Sequence, residues 1–317
     1  MQRFKKEHIF FVIDGGIGDL VIVMVVIDEM KRLNPDARIT FSMRHSSYRS
    51  VVELNPNIDD IVSYPFSVDG DLKSFKMQKM ELEKKYDQVI LFTPPGVKDR
   101  CKWRLKIKRW MQKRGWNPDR RHLVERFADI AGIKIENKKP KFYFDHEDQS
   151  IADQFLKENG LSQNDLVIFI AHRTGGSRFL RNWPIKNFEQ LVTQIKADTD
   201  CKVIVSGSKN DPILNVDSVI HAMGFPLRPT ACLIKRSNLF IGMDSGLTHI
   251  ASCFDCDIVS IHAGYPVFET GALSDSISFV HTKPFKKAEL ISVEQVYEVV
   301  RNRISRILDG GFNARVR

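Results

Sequence analysis

Five short stretches of this chain bring together residue types that do chemistry. Asp14-Gly15-Gly16-Ile17-Gly18-Asp19 follows a run of strand-forming residues that begins at Ile9. Glycines there let the backbone turn sharply and approach a ligand, and Asp19 stands where the next helix starts. A carboxylate at the carboxyl end of a strand faces the crevice in which α/β sheets bind ligands. Asp is equally at home there as a helix cap, so general base and cap are level readings on these residues alone. Val21 occupies the third glycine position of the dinucleotide fingerprint, which disfavours a dehydrogenase.

A second stretch, His172 to Pro184, combines Gly175-Gly176 with Thr174, Ser177, Arg178 and Arg181. Hydroxyls and guanidinium forks around a glycine pair suit a phosphate, although an ordinary loop with surface arginines would read the same way. The third, Asp244-Ser245-Gly246-Leu247-Thr248-His249, lies where a strand ends and a helix begins. The first amides of that helix have no intrahelical partner and suit a pyrophosphate, and Asp244 suits sugar hydroxyls; the plain alternative is an N-cap. In the fourth, Asp211 closes Gly207-Ser208-Lys209-Asn210-Asp211 and is either a ribose ligand or a turn residue. The fifth, Cys253-Phe254-Asp255-Cys256, has no second C-x-x-C to complete a zinc site and reads as buried, inert thiols.

The elements that must position these groups alternate in type. Strands are expected at Ile9–Asp14, Arg38–Met43, Ile61–Tyr64 and Tyr86–Thr93, then at Leu166–Ala171, Lys202–Ser206, Leu239–Met243, Ile258–His262 and Ile277–Val280. Helix-like stretches lie between them, which means βαβ units and a parallel sheet, built twice. Leu20–Ile27 is rich in Val and Ile and has strand propensity, but its place after a strand and a glycine turn makes it a buried helix. Ser292–Leu308 has apolar residues at helical spacing and reads as an amphipathic helix. A polar, acidic stretch near the middle sets the expected domains at 1–150 and 151–317.

Composition narrows the partners. The net charge is +9, and Lys98 to Arg121 holds eleven basic side chains against Asp99 and Asp119. The basicity is therefore a local patch, and it carries Trp103, Trp110 and Trp116 as well. Such a segment is either a solvated helix packed by its tryptophans or a surface for phosphate-bearing or lipid-headgroup partners. It has no zinc, RRM or KH pattern, so nucleic acid is not the expected partner. The longest apolar run is eight residues, too short to span a bilayer, and no leader with a cleavage site is visible. Five cysteines at irregular spacing point to a reducing, cytoplasmic protein.

In this order, the motifs resemble the ADP-heptose:lipopolysaccharide heptosyltransferases and their relatives, glycosyltransferase family 9. Gly18-Asp19 is similar to the family's N-terminal G-D, and Leu54-Asn55-Pro56-Asn57-Ile58-Asp59-Asp60-Ile61 to its L-N-P-x-I-D segment. Ser177-Arg178 through Arg181-Asn182-Trp183-Pro184 resembles its S-R-x-x-K-x-W-P loop, and Asp244 to His249 its D-T/S-G-x-x-H signature.

The resemblance implies a GT-B fold, two Rossmann-like domains with parallel sheets facing across a cleft, the first for the acceptor and the second for the donor. It implies an inverting, metal-independent glycosyltransferase that uses a nucleoside-diphosphate sugar as co-substrate, ADP-linked by preference, and no cofactor. Asp19 would be the general base. Thr174, Ser177, Arg178 and Arg181 would hold the donor phosphates, with Ser245, Gly246 and Leu247 on the pyrophosphate. Asp244 would take the sugar hydroxyls and Asp211 the ribose, with Thr248 and His249 also among the donor-binding residues. Gly16, Gly18, Lys102, Arg104, Lys106, Lys108 and Arg109 would meet an anionic glycolipid or glycan, with possible membrane-surface contact through 98–121 on the inner face of the inner membrane. The other reading is a nucleotide-sugar binding or assembly protein of the same fold without turnover. The chain departs from the family at His172-Arg173-Thr174 (usually H-P-G), at Arg181 (usually Lys) and at His262-Ala263-Gly264-Tyr265-Pro266 (commonly F-G-P-T/S). All three departures surround the expected donor.

Overall fold

The computed structural model describes residues 7–65, 72–92, 120–175 and 181–310. The chain forms two compact units, Met1–Pro140 and Lys141–Arg317. The division falls ten residues before the expected one, and the reason is local. Helix α4 (His146–Glu158), capped by Asp145, is tied to the second unit by Arg228, whose Nε donates to Asp148 Oδ2 at 2.8 Å. Phe144 packs against Phe254 of the same unit, so the acidic run that reads as a linker is the start of a docked helix.

In the first unit, β1 (His8–Ile13), β2 (Arg38–Met43), β3 (Asp60–Val62) and β4 (Gln88–Leu91) pair in parallel in the order β3-β2-β1-β4. Helix α1 (Ile17–Leu33) follows β1 directly, and Leu20 to Ile27 are all buried. A helix apolar on every side needs cover on every side. Helix α3 (Leu123–Ala131) and the short turn Ser46–Val51 pack against it. The tertiary setting thus outweighs the strand propensity of its Val and Ile. Helix α2 (Leu72–Lys85) packs beside β4.

The second sheet runs β10-β9-β8-β5-β6-β7, again all parallel. Its strands are β5 (Val167–Ala171), β6 (Lys202–Gly207), β7 (Val219–Met223), β8 (Leu239–Met243), β9 (Asp257–His262) and β10 (Ile277–His281). β7 was not expected; as an edge strand with only Ala222 fully buried it lacks the continuous apolar run of its neighbours. α5 (Ile185–Asp198) and α9 (Val293–Asp309) cover one face, sharing a core with Ile168, Ile170, Val203 and Ile241. Trp183 lies within that core and donates from Nε1 to the Ile291 carbonyl at 2.8 Å, so its one polar atom is satisfied. On the other face Phe169 stacks on Phe240. α6 (Leu227–Arg236), α7 (Gly246–Ala251) and α8 (Val267–Thr270) complete the unit.

Both strand orders reverse direction at one place, between β1 and β4 in the first sheet and between β5 and β8 in the second. Chain connections diverge at such a point and leave a crevice at the carboxyl ends of the strands. The glycine turn follows β1, the His172 loop follows β5, and Asp244 follows β8.

Candidate functional site

In the first unit, Asp19 lies in the first turn of α1 and its Oδ2 accepts the Gly16 N–H at 2.8 Å. The cap therefore exists, and the half-exposed carboxylate stands at the end of β1 as well. Gly15 is required for this arrangement, because a Cβ there would come within 2.6 Å of the Asp19 Cβ. Gly16 and Gly18 flank the same side chain. Two further residues converge on this edge. Arg44, directly after β2, donates from Nη1 to Asp14 Oδ2 at 2.8 Å. Tyr64, just beyond β3, has its phenol pushed up to about 12, chiefly by burial and then by the Asp14 charge. Arg44 is not in any motif; the available signal was only its position at the end of a strand that pairs with β1.

In the second unit, the loop after β5 folds back on itself. Asn182 Oδ1 accepts from both the Thr174 amide at 3.0 Å and the Thr174 hydroxyl at 3.1 Å. His172 is fully buried and donates from Nε2 to the Pro212 carbonyl at 2.8 Å, and burial holds its pKa below the usual value. Asp211 Oδ2 accepts the Ser208 amide at 2.7 Å, so it closes its own turn. Its Oδ1 lies 3.9 Å from Arg173 Nε.

Asp244 is the centre of the second unit's site. Only 5% of it is exposed, and Arg181 Nη1 is 3.3 Å from its Oδ2. His249 Nε2 and His262 Nδ1 stand 4.0 and 3.9 Å from its Oδ1. The stem of Arg181 lies over Gly264, where a Cβ would meet Arg181 Cγ at 2.9 Å and where φ is +93°. Only glycine combines that backbone with that contact. Ser245, Gly246 and Leu247 open α7 beside Asp244, while the Thr248 hydroxyl donates to the Met243 carbonyl and is turned away into the fold. Cys253 and Cys256 donate to the helix carbonyls of His249 and Ala251, as packed thiols do. Among the described residues no group of three or more His, Cys, Asp or Glu is gathered as metal ligands.

The site residues are thus brought together in two groups, one on each unit. Ser177, Arg178, Lys102, Arg104, Lys106, Lys108 and Arg109 lie outside the described residues, as do the three tryptophans of the basic segment. His262, singled out in the sequence only as the start of a departure from the family, joins Asp244 because Met243 pairs with Ile261 in adjacent strands.

The model for glycosyltransferase family 9 (heptosyltransferase) matches residues 96–298. No curated protein matches the sequence significantly. Among solved structures, a glycosyl transferase family 9 protein from Veillonella parvula DSM 2008 has TM-score 0.75 and 18% identity, covering 96% of this chain and 99% of that one. The E. coli ADP-heptose lps heptosyltransferase II has TM-score 0.66 and 14% identity, covering 94% and 99%. E. coli heptosyltransferase WaaC with ADP has TM-score 0.62 and 13% identity, covering 93% and 99%. At such identities the likeness is one of fold, and the two parallel-sheet units belong to the GT-B class.

Proposed function

This chain is a member of glycosyltransferase family 9, and from that premise we propose that it transfers a sugar with inversion from ADP-heptose or a close relative to a phosphorylated glycan or glycolipid. The observation that carries this reading is where the motifs fall: Asp19 at the reversal point of one sheet, Arg181 and Asp244 at that of the other. The first unit takes the acceptor and the second the donor.

In this scheme Asp19 accepts the proton of the attacking hydroxyl. The freed oxygen bonds to the anomeric carbon from the face opposite the diphosphate, and the bond from that carbon to the phosphate oxygen breaks. The electron pair leaves with the nucleoside diphosphate. Arg181, Arg178, Ser177, Thr174 and the amides of Ser245, Gly246 and Leu247 meet its charge, and the scheme asks for no metal or cofactor. Asp244 and His249 hold sugar hydroxyls and Asp211 the ribose. The capping bond from Gly16 fits the role of Asp19, since a hydrogen bond to one carboxylate oxygen fixes the direction of the other. Thr248 supports the helix start rather than touching donor, given its hydroxyl's bond to Met243.

The basic segment 98–121 gives the acceptor side its anion preference and suits the phosphate-bearing surface of the cytoplasmic leaflet. No helix among the described residues is long and apolar enough to cross a membrane.

The test is thermal stabilisation by ADP and ADP-heptose against UDP, GDP and their sugars, followed by NMR of the product's anomeric configuration. Preferential stabilisation by the ADP pair and an inverted product are expected. Equal stabilisation by all nucleotides, or a retained configuration, overturns the reading.

A further inference from the structure

The Asp244 cluster holds one group that neither the motif nor the transfer scheme uses. His262 ends β9, is 1% exposed, and sits edge-on to Phe279. Its Nε2 is 3.1 Å from the Tyr265 carbonyl. A carbonyl only accepts, so Nε2 carries the proton and Nδ1 keeps its lone pair. Burial, and secondarily the Arg181 charge, lowers the pKa against the opposing pull of Asp244, which keeps the ring neutral. Among the described residues Nδ1 has no hydrogen-bond partner, and neither do Ser245 Oγ and Arg181 Nε in the same cluster, while Asp244 Oδ2 makes only its ion pair with Arg181. An open Nδ1 alone says little, but three buried polar atoms left open in one place, around an ion-paired carboxylate, mark a site for a polar ligand.

We propose that His262 is a specificity residue for the transferred sugar: its Nδ1 and Asp244 Oδ1, 3.9 Å apart, are paired acceptors that read two of the sugar's hydroxyls. The chemistry follows from counting protons. Two acceptors facing each other repel unless donors come between them, and a hydroxyl has one proton to give. Filling both therefore takes two donating groups on neighbouring atoms, as on a polyhydroxylated ring. Asp244 is held for this by Arg181 on its other oxygen, and His262 by Tyr265. The inference rests on the assignment of the second unit to the donor, and it adds a residue outside the Asp244–His249 motif.

The test is calorimetry of ADP and ADP-heptose with wild-type protein, His262→Phe and His262→Asn. Phe keeps a ring against Phe279 but offers no acceptor, whereas the Asn amide oxygen reaches the place of Nδ1. All three proteins are expected to bind ADP within about twofold of one another. ADP-heptose is expected to weaken about tenfold with His262→Phe, as for a lost hydrogen bond at a buried polar site, and to recover to within about threefold with His262→Asn. The ratio of ADP-heptose to ADP affinity is the readout, so reduced stability of a variant does not imitate the effect. An unchanged ratio in His262→Phe, or loss of ADP and ADP-heptose alike, overturns the proposal while leaving the donor assignment standing. Wild-type protein that binds neither ligand overturns the donor assignment and this proposal with it.

Discussion

Arg181 Nη1 stands 3.3 Å from Asp244 Oδ2, so the loop after β5 and the turn after β8 share one largely buried ion pair. The side chains are 14% and 6% exposed, which sets this pair apart from the surface pairs of the chain. Removing one partner leaves the other charge buried without compensation. Arg181→Ala is expected to destabilise the protein by about 2–3 kcal/mol in urea unfolding. Asp244→Asn should then add little to it, with a coupling energy of about 1 kcal/mol or more in the double-mutant cycle. Simple additivity would show that the pair is not a unit.

The two roles open to Asp19 separate by substitution. Asn keeps an oxygen that accepts the Gly16 amide but is no base, whereas Ala removes both. Asp19→Asn should keep wild-type thermal stability and ADP-heptose binding while transfer falls by about 10²–10⁴-fold. Asp19→Ala should lose the same activity and about 1 kcal/mol of stability besides. Wild-type turnover by the Asn variant, measured at saturating donor, would reduce Asp19 to a cap.

Gly264 is the backbone counterpart of the Arg181–Asp244 pair. Its φ of +93° and its contact with the Arg181 stem leave no room for a side chain. Gly264→Ala is expected to cost about 1–3 kcal/mol of stability. Because the displaced group is Arg181, ADP affinity should fall at the same time, read by calorimetry on folded protein. Lost stability with unaltered ADP affinity would separate the glycine from the site.

Acid should weaken the fold before its carboxylates titrate. His172, His221 and His262 all have pKa values lowered from 6.5 in the folded chain, in each case first by burial. The unfolded chain therefore binds more protons in the window below 6.5, so stability falls as pH drops through it and levels off below the folded values. For His262 the facing charges are Asp244 and Arg181, with His281 on β10 adding repulsion once protonated. Unfolding free energies between about pH 8 and pH 5 should decline, and less steeply in His262→Phe. A flat profile would mean that these rings take up protons alike in the folded and unfolded chain.

Most of the scaffold is legible in the sequence because its strands are continuous apolar runs, as strands buried on both faces must be. The reading of Leu20–Ile27 as a helix came from its neighbours rather than its propensity, and the burial of all eight residues explains why propensity misleads there. β7 escaped because an edge strand needs no such run, and the division between units shifted because acidic helix caps look like linker. The candidate site is legible wherever a turn at the carboxyl end of a strand is also a sequence motif. Arg44 beside Asp14, and His262 beside Asp244, are not: strand pairing joins them across long stretches of chain, and no local spacing records it.

α1 has one consequence for how this enzyme can change. The helix that carries Asp19 is buried at every position from Leu20 to Ile27, so its position cannot be retuned by a few surface substitutions without disturbing that core. In the proposed scheme, new acceptors would have to be accommodated by the loops that end β2 and β3, around Arg44 and Tyr64, while Asp19 stays where it is. Libraries aimed at acceptor range belong in those loops, and the glycine turn is best left untouched.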